Sequence, residues 1–254
     1  MISDRIYIPV VAVCPVRAAA DHRSEMTSQL LLGEQVHILD EINKEWLFIR
    51  SIHDGYEGWC QKIQLASLTD DSVSIKGYFS GTAGVANVNG QPMPVFLGTP
   101  VYEATINGGG YSISFEGLSI TPSGADIRTI LYQHALEYLN TSYLWGGRTT
   151  AGIDCSGFAQ MVYRHAGIHL LRDAYLQATE GMSVGFLQEA KCGDLAFFEE
   201  DDGRITHVGI LLNDHEIIHA SGKVRIDSID HAGIINRDTG KRTHQLRIIK
   251  RYLD

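Results

Sequence analysis

A break in the sequence pattern at residues 121–124 (Thr-Pro-Ser-Gly) constrains the fold more than any other feature. Before the break, short apolar or alternating runs such as 36–39 and 46–49 are separated by turn residues, which predicts small antiparallel β structures. After the break, residues 126–140 and 154–166 place apolar side chains at helical spacing, and several short strand patterns follow. Helices followed by antiparallel strands indicate an α+β domain.

Strand rhythm and length divide the chain further. Its 254 residues can form one catalytic domain with small attached modules. The part before the break predicts two small β modules, at residues 1–68 and 69–124, because the composition changes after residue 68 and glycines then cluster. Residues 125–254 are predicted to form the catalytic domain.

Composition excludes several classes of function. The formal charge of −9, without a run of Lys or Arg, argues against a nucleic-acid or anionic-membrane binder. The longest apolar stretches fall far short of the roughly 20 residues that cross a bilayer. The N-terminus lacks a basic segment followed by an apolar one, so we expect a cytoplasmic protein, or a periplasmic or secreted one if a signal has been removed. Scattered cysteines without a C-x-x-C pair fit a reducing compartment: Cys14, Cys60, Cys155 and Cys192.

Cys155 is the first candidate for chemistry, because it lies at the first turn of the helix predicted over 154–166. The unpaired N–H groups and the partial positive charge at a helix N-terminus favour an anion. We therefore expect a thiol of lowered pKa, whose thiolate acts as a nucleophile. The same N–H groups could stabilise a developing oxyanion. The alternative is a buried structural cysteine, the commoner role of a lone Cys.

Two histidines in predicted strands supply a candidate base. His207 interrupts an apolar strand pattern, and His219 lies in the next one. A turn at 213–216 would join these strands in a hairpin, and equal strand parity would place both imidazoles on one face. Nucleophile, base and base-orienting residue would then be Cys155, His207 and His219. Two structural histidines are an alternative, as is a zinc site completed by Cys192, although structural zinc ligands usually come in close pairs.

Four blocks of the sequence carry a family resemblance, namely 143–158 (YLWGGRTTAGIDCSGF), 193–198 (GDLAFF), 207–210 (HVGI) and 218–222 (IHASG). Together they resemble the NlpC/P60 cysteine peptidases, over about residues 126–254. The resemblance implies a papain-like α+β fold, hydrolysis of amide bonds in bacterial cell-wall peptides through a thioester, and no cofactor or metal. Cys155 would be the nucleophile, His207 the base and His219 the residue that orients it.

The first part of the chain resembles a narrower group. Residues 25–34 (EMTSQLLLGE) and 54–59 (DGYEGW) are similar to the bacterial SH3-type modules that precede the catalytic domain in γ-D-glutamyl-L-diamino acid endopeptidases of the dipeptidyl-peptidase VI group. The resemblance implies two SH3-like barrels, the first of which closes one end of the cleft. It also implies a substrate with a free N-terminal L-Ala, L-Ala-γ-D-Glu-diaminopimelate or its Lys equivalent, cut during cell-wall recycling.

The same resemblance assigns further site residues. Carboxylates and a hydroxyl would bind the substrate ammonium, which is costly to bury without them. Residues 172–174 (RDA) match a substrate-side loop, but Ala174 stands where relatives often have Ser, so one substrate hydrogen bond would be lost or replaced. The assigned residues are Asp154, Glu25 and Tyr56 for the ammonium, Tyr143 for the oxyanion, and Trp145 and Ser156 for the lining of the cleft.

Other functions stay open at this point. The chain could be a secreted wall hydrolase of broader specificity, a catalytically silent protein that binds wall fragments, or an acyltransferase that uses an amine in place of water. The set of Cys155, His207 and His219 argues against a silent domain, and a blocked cleft argues against a long acyl donor. Locally, Glu25 could be a solvated surface charge and Asp154 a helix N-cap.

Overall fold

Short alternating runs form strands throughout the first of two units in the computed structural model, which describes residues 5–121, 124 and 126–253. This unit comprises Met1–Ser123 and Trp145–Thr150. Its first strands are β1 (Ile6–Pro9), β2 (Val13–Arg17), β3 (Met26–Leu31), β4 (Val36–Ile42), β5 (Trp46–Ser51), β6 (Glu57–Gln61) and β7 (Leu65–Ser67). They form one antiparallel sheet in the order β3-β2-β6-β5-β4-β1-β7, around a buried apolar cluster.

Further strands follow in the same unit. They are β8 (Ile75–Tyr78), β9 (Gly84–Val88), β10 (Gln91–Val95), β11 (Pro100–Tyr102), β12 (Ile106–Gly108), β13 (Tyr111–Ser114) and β14 (Arg148–Thr149). Four of them form a sheet in the order β10-β9-β13-β12, and β11 pairs with β8. Phe79 and Val101 from this part share a buried cluster with Ile8 of β1 and with Leu32, which directly follows β3. The division at residue 68 into two SH3-like modules stays a prediction.

A buried ion pair fastens Trp145–Thr150 within the first unit. Arg148 donates from Nη1 to Glu34 Oε2 at 2.9 Å and from Nη2 to Glu34 Oε1 at 3.2 Å. It also donates from Nη1 to the Gln29 carbonyl oxygen at 2.6 Å, and its backbone N–H donates to Gln29 Oε1 at 2.8 Å. Both charged side chains are buried, so each depends on the other for compensation of its charge.

Replacing Arg148 by methionine is expected to lower the free energy of unfolding of the first unit by about 3–5 kcal/mol, because the Glu34 carboxylate stays buried without its cation. Urea unfolding followed by tryptophan fluorescence measures this loss. As a control, Arg50→Met removes an ion pair to Glu57 that is largely exposed, and it should change stability by less than about 1 kcal/mol. Equal losses in the two variants would contradict the role of the buried pair.

Helices and a strand barrel form the second unit, which comprises Gly124–Leu144 and Ala151–Asp254. Its elements are α1 (Ile127–Glu137), β15 (Gly152–Ile153), α2 (Cys155–Arg164), α3 (Ala174–Gln177), β16 (Met182–Val184), β17 (Leu195–Glu199), β18 (Ile205–Leu211), β19 (Glu216–Ser221), β20 (Lys223–Asp230), β21 (Gly233–Ile235) and β22 (Arg242–Arg251). The last seven strands form a sheet in the order β16-β22-β17-β18-β19-β20-β21. Because β21 also pairs with β22, strands β17 to β22 close into a six-stranded barrel.

Helix α2 positions the candidate nucleophile against this barrel. Every residue of α2 is buried, and the helix packs against β18 and β19. Helix α1 begins at Asp126, whose carboxylate accepts the Thr129 N–H at 2.8 Å. In the described part of the chain, no helix has the length and apolar character that a membrane span requires.

The barrel interior explains where two histidines point. Leu211, Ile217 and Ile229, from β18, β19 and β20, belong to one buried apolar cluster. Alternate residues of a strand share a face, so His207 lies on the face of Leu211, and His219 lies on the face of Ile217. Both imidazoles therefore point to the interior of the barrel.

Candidate active site

Cys155 lies at the start of α2, where a helix cap and a strand supply its surroundings. The Asp154 carboxylate caps the helix by accepting a backbone N–H of the first turn at 2.6 Å. The buried Cys155 Sγ lies 3.9 Å from the Thr206 carbonyl oxygen, and the Val208 N–H also hydrogen-bonds to the thiol. The pairing of β18 with β19 ends at Gly209, while its pairing with β17 continues to Ile205, so the backbone groups of this stretch that do not face β17 are available to the thiol.

A hydrogen-bonded chain of three buried side chains begins at His207, which lies between Thr206 and Val208 in the sequence. His207 Nε2 and His219 Nδ1 are 2.9 Å apart, and His219 Nε2 is 3.0 Å from Asp227 Oδ2. The hairpin and the shared face predicted from strand parity are therefore confirmed. Because Nε2 of His207 faces His219, Nδ1 is the ring nitrogen of His207 that lies outside this chain of hydrogen bonds. We refer to His207, His219 and Asp227 as the relay.

Burial has the largest effect on the pKa of Cys155, the candidate nucleophile. It raises the pKa of the Cys155 thiol to about 12, and the neighbouring Asp154 carboxylate adds to the rise. The Val208 N–H, the Arg172 guanidinium and the Ser156 N–H act in the opposite direction. The lowered pKa expected from the helix terminus is therefore wrong for this structure, because loss of hydration outweighs the effect of the helix terminus. Cys155 therefore rests as a neutral thiol.

The candidate base is also neutral at rest. Burial lowers the pKa of His207 well below its ordinary value of about 6.5, and the neighbouring His219 and His244 act in the same direction. The His244 ring stacks on the His207 ring, with centroids 4.1 Å apart and planes at 24°. The Phe198 ring flanks His207 with a centroid distance of 5.7 Å. Cys155 and His207 therefore rest as thiol and imidazole rather than as an ion pair.

The three neighbouring histidines raise the question of a metal site. Ring nitrogens of His207, His219 and His244 lie within 4.8 Å of one another. Imidazole lone pairs lie in the ring plane, and the stacked planes of His207 and His244 do not direct their nitrogens to one point. His207 and His219 already share a hydrogen bond. The donor set therefore suits proton transfer better than a metal, and Cys192, which contacts the Arg128 carbonyl, is not part of it.

Asp154 is engaged by a cation as well as by the helix. Arg172 donates from Nη1 to Asp154 Oδ1 at 3.1 Å and from Nη2 to Oδ2 at 2.6 Å. Arg172 Nη1 also donates to Ser156 Oγ at 2.9 Å. These side chains are all buried, and Gln177 of α3 donates to the Ser156 carbonyl oxygen at 3.1 Å. The loop expected on the substrate side, with Ala174 at the start of α3, is thus fastened to the first turn of α2 through Arg172, a residue of that loop for which the sequence predicted no partner.

The remaining predicted site residues are distributed over the two units. In the second unit Tyr143 is half-buried, and burial raises its pKa, with added contributions from Cys155 and the Asp154 carboxylate. In the first unit Trp145 Nε1 donates to Glu25 Oε1 at 2.6 Å, and both side chains are exposed. Tyr56 packs against the apolar cluster of the first sheet. The roles assigned to these residues stay predictions.

Two residues near His207, the candidate base, were not predicted from the sequence. Asp227 and His244 lie in alternating strand patterns, where polar residues ordinarily point to solvent. The one available signal was parity, because Asp227 lies two residues before the apolar Ile229 and so shares its face of a strand. Parity alone cannot show that Asp227 faces His219 until the strand order of the barrel is known.

Comparisons with known proteins assign a family to parts of both units. The NlpC/P60 family matches residues 140–243, and the bacterial dipeptidyl-peptidase SH3 domain matches residues 16–65. The chain is 27% identical to dipeptidyl-peptidase 6 of Lysinibacillus sphaericus, over 88% of this chain and 91% of that protein. It is 29% identical to the γ-D-glutamyl-L-lysine dipeptidyl-peptidase of Bacillus subtilis (strain 168), over 76% of this chain and 71% of that protein.

Solved structures share the fold. An NlpC/P60 family protein from Bacillus cereus ATCC 10987 superposes with a TM-score of 0.78, covering 98% of this chain and 100% of that one at 19% identity. An NlpC/P60 endopeptidase from Photobacterium damselae subsp. piscicida superposes with a TM-score of 0.66, covering 96% and 65% at 15% identity. The chain therefore has an NlpC/P60 fold together with an SH3-like domain.

Proposed function

We propose that this chain, which belongs to the NlpC/P60 family of cysteine peptidases and carries a bacterial SH3 domain, cuts the γ-D-glutamyl–diamino acid bond of peptidoglycan-derived peptides. The observation that carries the proposal is Cys155 at the start of α2, beside the strand that holds His207 in the relay. The names of the two relatives, dipeptidyl-peptidase 6 and γ-D-glutamyl-L-lysine dipeptidyl-peptidase, support this class of substrate. We further propose a papain-like α+β class for the catalytic domain and two SH3-like modules before it.

The reaction we propose begins from the neutral pair. Cys155 Sγ attacks the γ-D-glutamyl carbonyl carbon while its proton passes to His207 Nδ1, so the thiolate and imidazolium charges form only during the reaction. The imidazolium then protonates the leaving amine as the C–N bond breaks, which leaves a thioester on Cys155. A water molecule, deprotonated by His207, attacks the thioester and releases the acid and the thiol.

The oxyanion formed in both steps needs donors that keep their protons. Backbone N–H groups at the start of α2 are one such set. The Tyr143 hydroxyl is a second, because the raised pKa of its phenol keeps it protonated at neutral pH. We therefore propose that Tyr143 donates to the oxyanion, as the family resemblance implies.

Mass spectrometry of the products from synthetic L-Ala-γ-D-Glu-diaminopimelate tests the proposal directly. Cleavage at the proposed bond releases the dipeptide L-Ala-D-Glu and free diaminopimelate. Addition of a competing amine distinguishes hydrolysis from acyl transfer, because a transferase would yield the amide of the dipeptide. Cleavage at another bond, or none in a protein whose Cys155 reacts with an electrophile, would refute this substrate while leaving a cysteine peptidase of other specificity.

The charge of two carboxylates bears on how a substrate amine is recognised. The Asp154 charge is compensated by Arg172 in a buried bidentate pair. The Glu25 carboxylate accepts instead from the indole of Trp145, a neutral donor that leaves the negative charge in place. A desolvated ammonium needs an uncompensated negative partner. We therefore propose that the binding of a free N-terminal amine implied by the resemblance uses Glu25 and Tyr56 as well as Asp154, whose charge is already paired.

Acetylation of the substrate's L-Ala nitrogen is expected to lower kcat/KM at least about a hundredfold, because the ion pair with the ammonium is lost. The measurement compares kcat/KM for the free and acetylated tripeptides. Glu25→Gln should reduce this preference without moving the scissile bond. The control Glu57→Gln, which alters a carboxylate paired with Arg50 in the same unit, should preserve it. Equal rates on both peptides in the unaltered protein would remove the amine requirement.

A cytoplasmic setting is proposed on the state of the cysteines. All four are free thiols, and Cys14 and Cys60 are buried in the apolar cluster of the first sheet, where their thiols hydrogen-bond to each other. Thiols that neighbour each other in this way persist in a reducing compartment. Detection of the chain in the soluble reducing fraction of cells would support the proposal, and its recovery from the medium with a Cys14–Cys60 disulfide would contradict it.

A further inference from the structure

We infer that Asp227 is a positioning residue of the peptidase reaction, which acts on Cys155 through His219 and His207. Its side chain is only 1% exposed, and carboxylates are almost never buried to this depth unless they are paired. Oδ2 lies 3.0 Å from His219 Nε2. The inference rests on the cysteine-peptidase chemistry of the site and is independent of which peptide is cut.

Donors on both oxygens keep Asp227 an acceptor. Arg225 donates from Nε to Oδ2 at 2.7 Å and from Nη2 to Oδ1 at 2.9 Å, and the Arg237 backbone N–H donates to Oδ1 at 2.9 Å. Burial acts to raise the pKa of Asp227, but the hydrogen bonds from His219 and Arg225 outweigh it and hold the pKa below its ordinary range. Because both oxygens of this carboxylate act only as hydrogen-bond acceptors, His219 must carry a proton on Nε2 to hydrogen-bond with it.

That requirement propagates along the relay. With a proton on Nε2, His219 has a lone pair on Nδ1, which accepts the Nε2–H of His207 across 2.9 Å. His207 then has its own lone pair on Nδ1, the nitrogen that must receive the Cys155 proton. Asp227 thus selects the one arrangement of protons in which His207 is a base, and its charge stabilises the imidazolium that forms.

A partly exposed ion pair on the same strand provides a comparison. Asp230, three residues further along β20, accepts from Arg242 Nη1 and Nη2 at 2.6 and 2.7 Å. It also accepts the backbone N–H groups of Ala232 and Gly233. Asp230 therefore has an arginine and backbone donors, as Asp227 has, but its described hydrogen bonds include no histidine.

The variant Asp227→Asn has a predictable effect on the relay. At the Oδ1 position the new NH2 group would face two donors, Arg225 Nη2–H and the Arg237 N–H. At the Oδ2 position it faces one fixed donor, Arg225 Nε–H, together with His219, whose tautomer can change. The amide N–H therefore points at His219 Nε2, which becomes an acceptor. His219 then donates from Nδ1 to His207 Nε2, and the remaining proton of His207 sits on Nδ1, where it blocks transfer from Cys155.

The experiment compares Asp227→Asn and Asp230→Asn in the full chain. We expect Asp227→Asn to lower kcat at least about a hundredfold, and to slow alkylation of Cys155 by iodoacetamide at pH 7 by a similar factor. Asp230→Asn should leave both rates within about twofold of the unaltered protein, whatever its Tm. Alkylation needs no peptide, so failure of the proposed substrate leaves this test intact.

Wild-type values of kcat and of the alkylation rate in a folded Asp227→Asn variant would overturn the inference, and so would equal losses in the two variants. If Asp227→Asn does not fold, nitrogen NMR of labelled histidines in the unaltered protein decides the matter. A proton on His219 Nε2 and a bare Nδ1 are the expected state. The opposite tautomer would overturn the inference.

Discussion

Cys155→Ala is expected to abolish peptide hydrolysis, with kcat reduced at least about ten-thousandfold, because no other group can form the thioester. The fold should persist, since the Asp154 carboxylate that caps α2 and the buried face of the helix are unchanged. Steady-state rates and circular dichroism measure the two properties. Calorimetry should still detect peptide binding, because the variant keeps the neighbouring contacts and loses only the sulfur.

The matched control for this variant is Cys192→Ala. Cys192 is a partly buried thiol of the same unit, and its described contact is with the Arg128 carbonyl oxygen at 4.0 Å. Its replacement should leave kcat within about twofold, as expected for a residue outside the reacting groups. Turnover near the wild-type level in Cys155→Ala would disprove the nucleophile assignment, and a comparable loss in both variants would point to misfolding.

His207→Ala is expected to lower kcat by about a thousandfold or more, because it removes both the acceptor of the thiol proton and the donor to the leaving amine. His219→Ala should be milder, roughly ten- to a hundredfold, since water can partly replace an orienting hydrogen bond. Because burial lowers the pKa of His207, the imidazole stays neutral at pH values below the ordinary pKa of histidine. The acid limb of kcat/KM should therefore lie below about pH 6.5.

Single-turnover rates across pH measure these effects separately from product release. The control His215→Ala changes an exposed histidine in the turn of the same hairpin, which contacts Asp214, and should be neutral. A greater loss in His219→Ala than in His207→Ala would reverse the two roles. An acid limb above pH 6.5 would contradict the effect of burial on His207.

Local periodicity predicted the elements that carry the candidate site. The helical pattern over 154–166 became α2 (Cys155–Arg164), and the strand pattern around His207 became β18 (Ile205–Leu211). Equal strand parity also allowed a hairpin to present His207 and His219 on one face, because side-chain direction alternates along a strand, although the register of the hairpin is not contained in the spacing. These features depend on the nearest neighbours in the chain, which a single sequence contains.

Properties set by distant neighbours were not predictable in the same way. The raised pKa of Cys155 arises from burial against β18, which exceeds the local effect of the helix terminus. Asp227 joins the relay only because β20 pairs with β19 in a register that sets it within reach of His219. The pairing of Asp154 with Arg172 likewise depends on a loop conformation. Each requires the packing of elements far apart in sequence, for which composition and period give no signal.

The membership of Trp145–Thr150 in the first unit has a consequence for folding during synthesis. Residues before 124 emerge from the ribosome first and can begin to form their sheets. Glu34 and Gln29 nevertheless lack their hydrogen bonds to Arg148 until that residue is synthesised, which happens more than a hundred positions later and after α1. The amino-terminal unit therefore cannot complete its fold until the segment that precedes Cys155 has been translated. In a ribosome-bound chain that ends before residue 148, we expect the first sheet to remain susceptible to proteolysis.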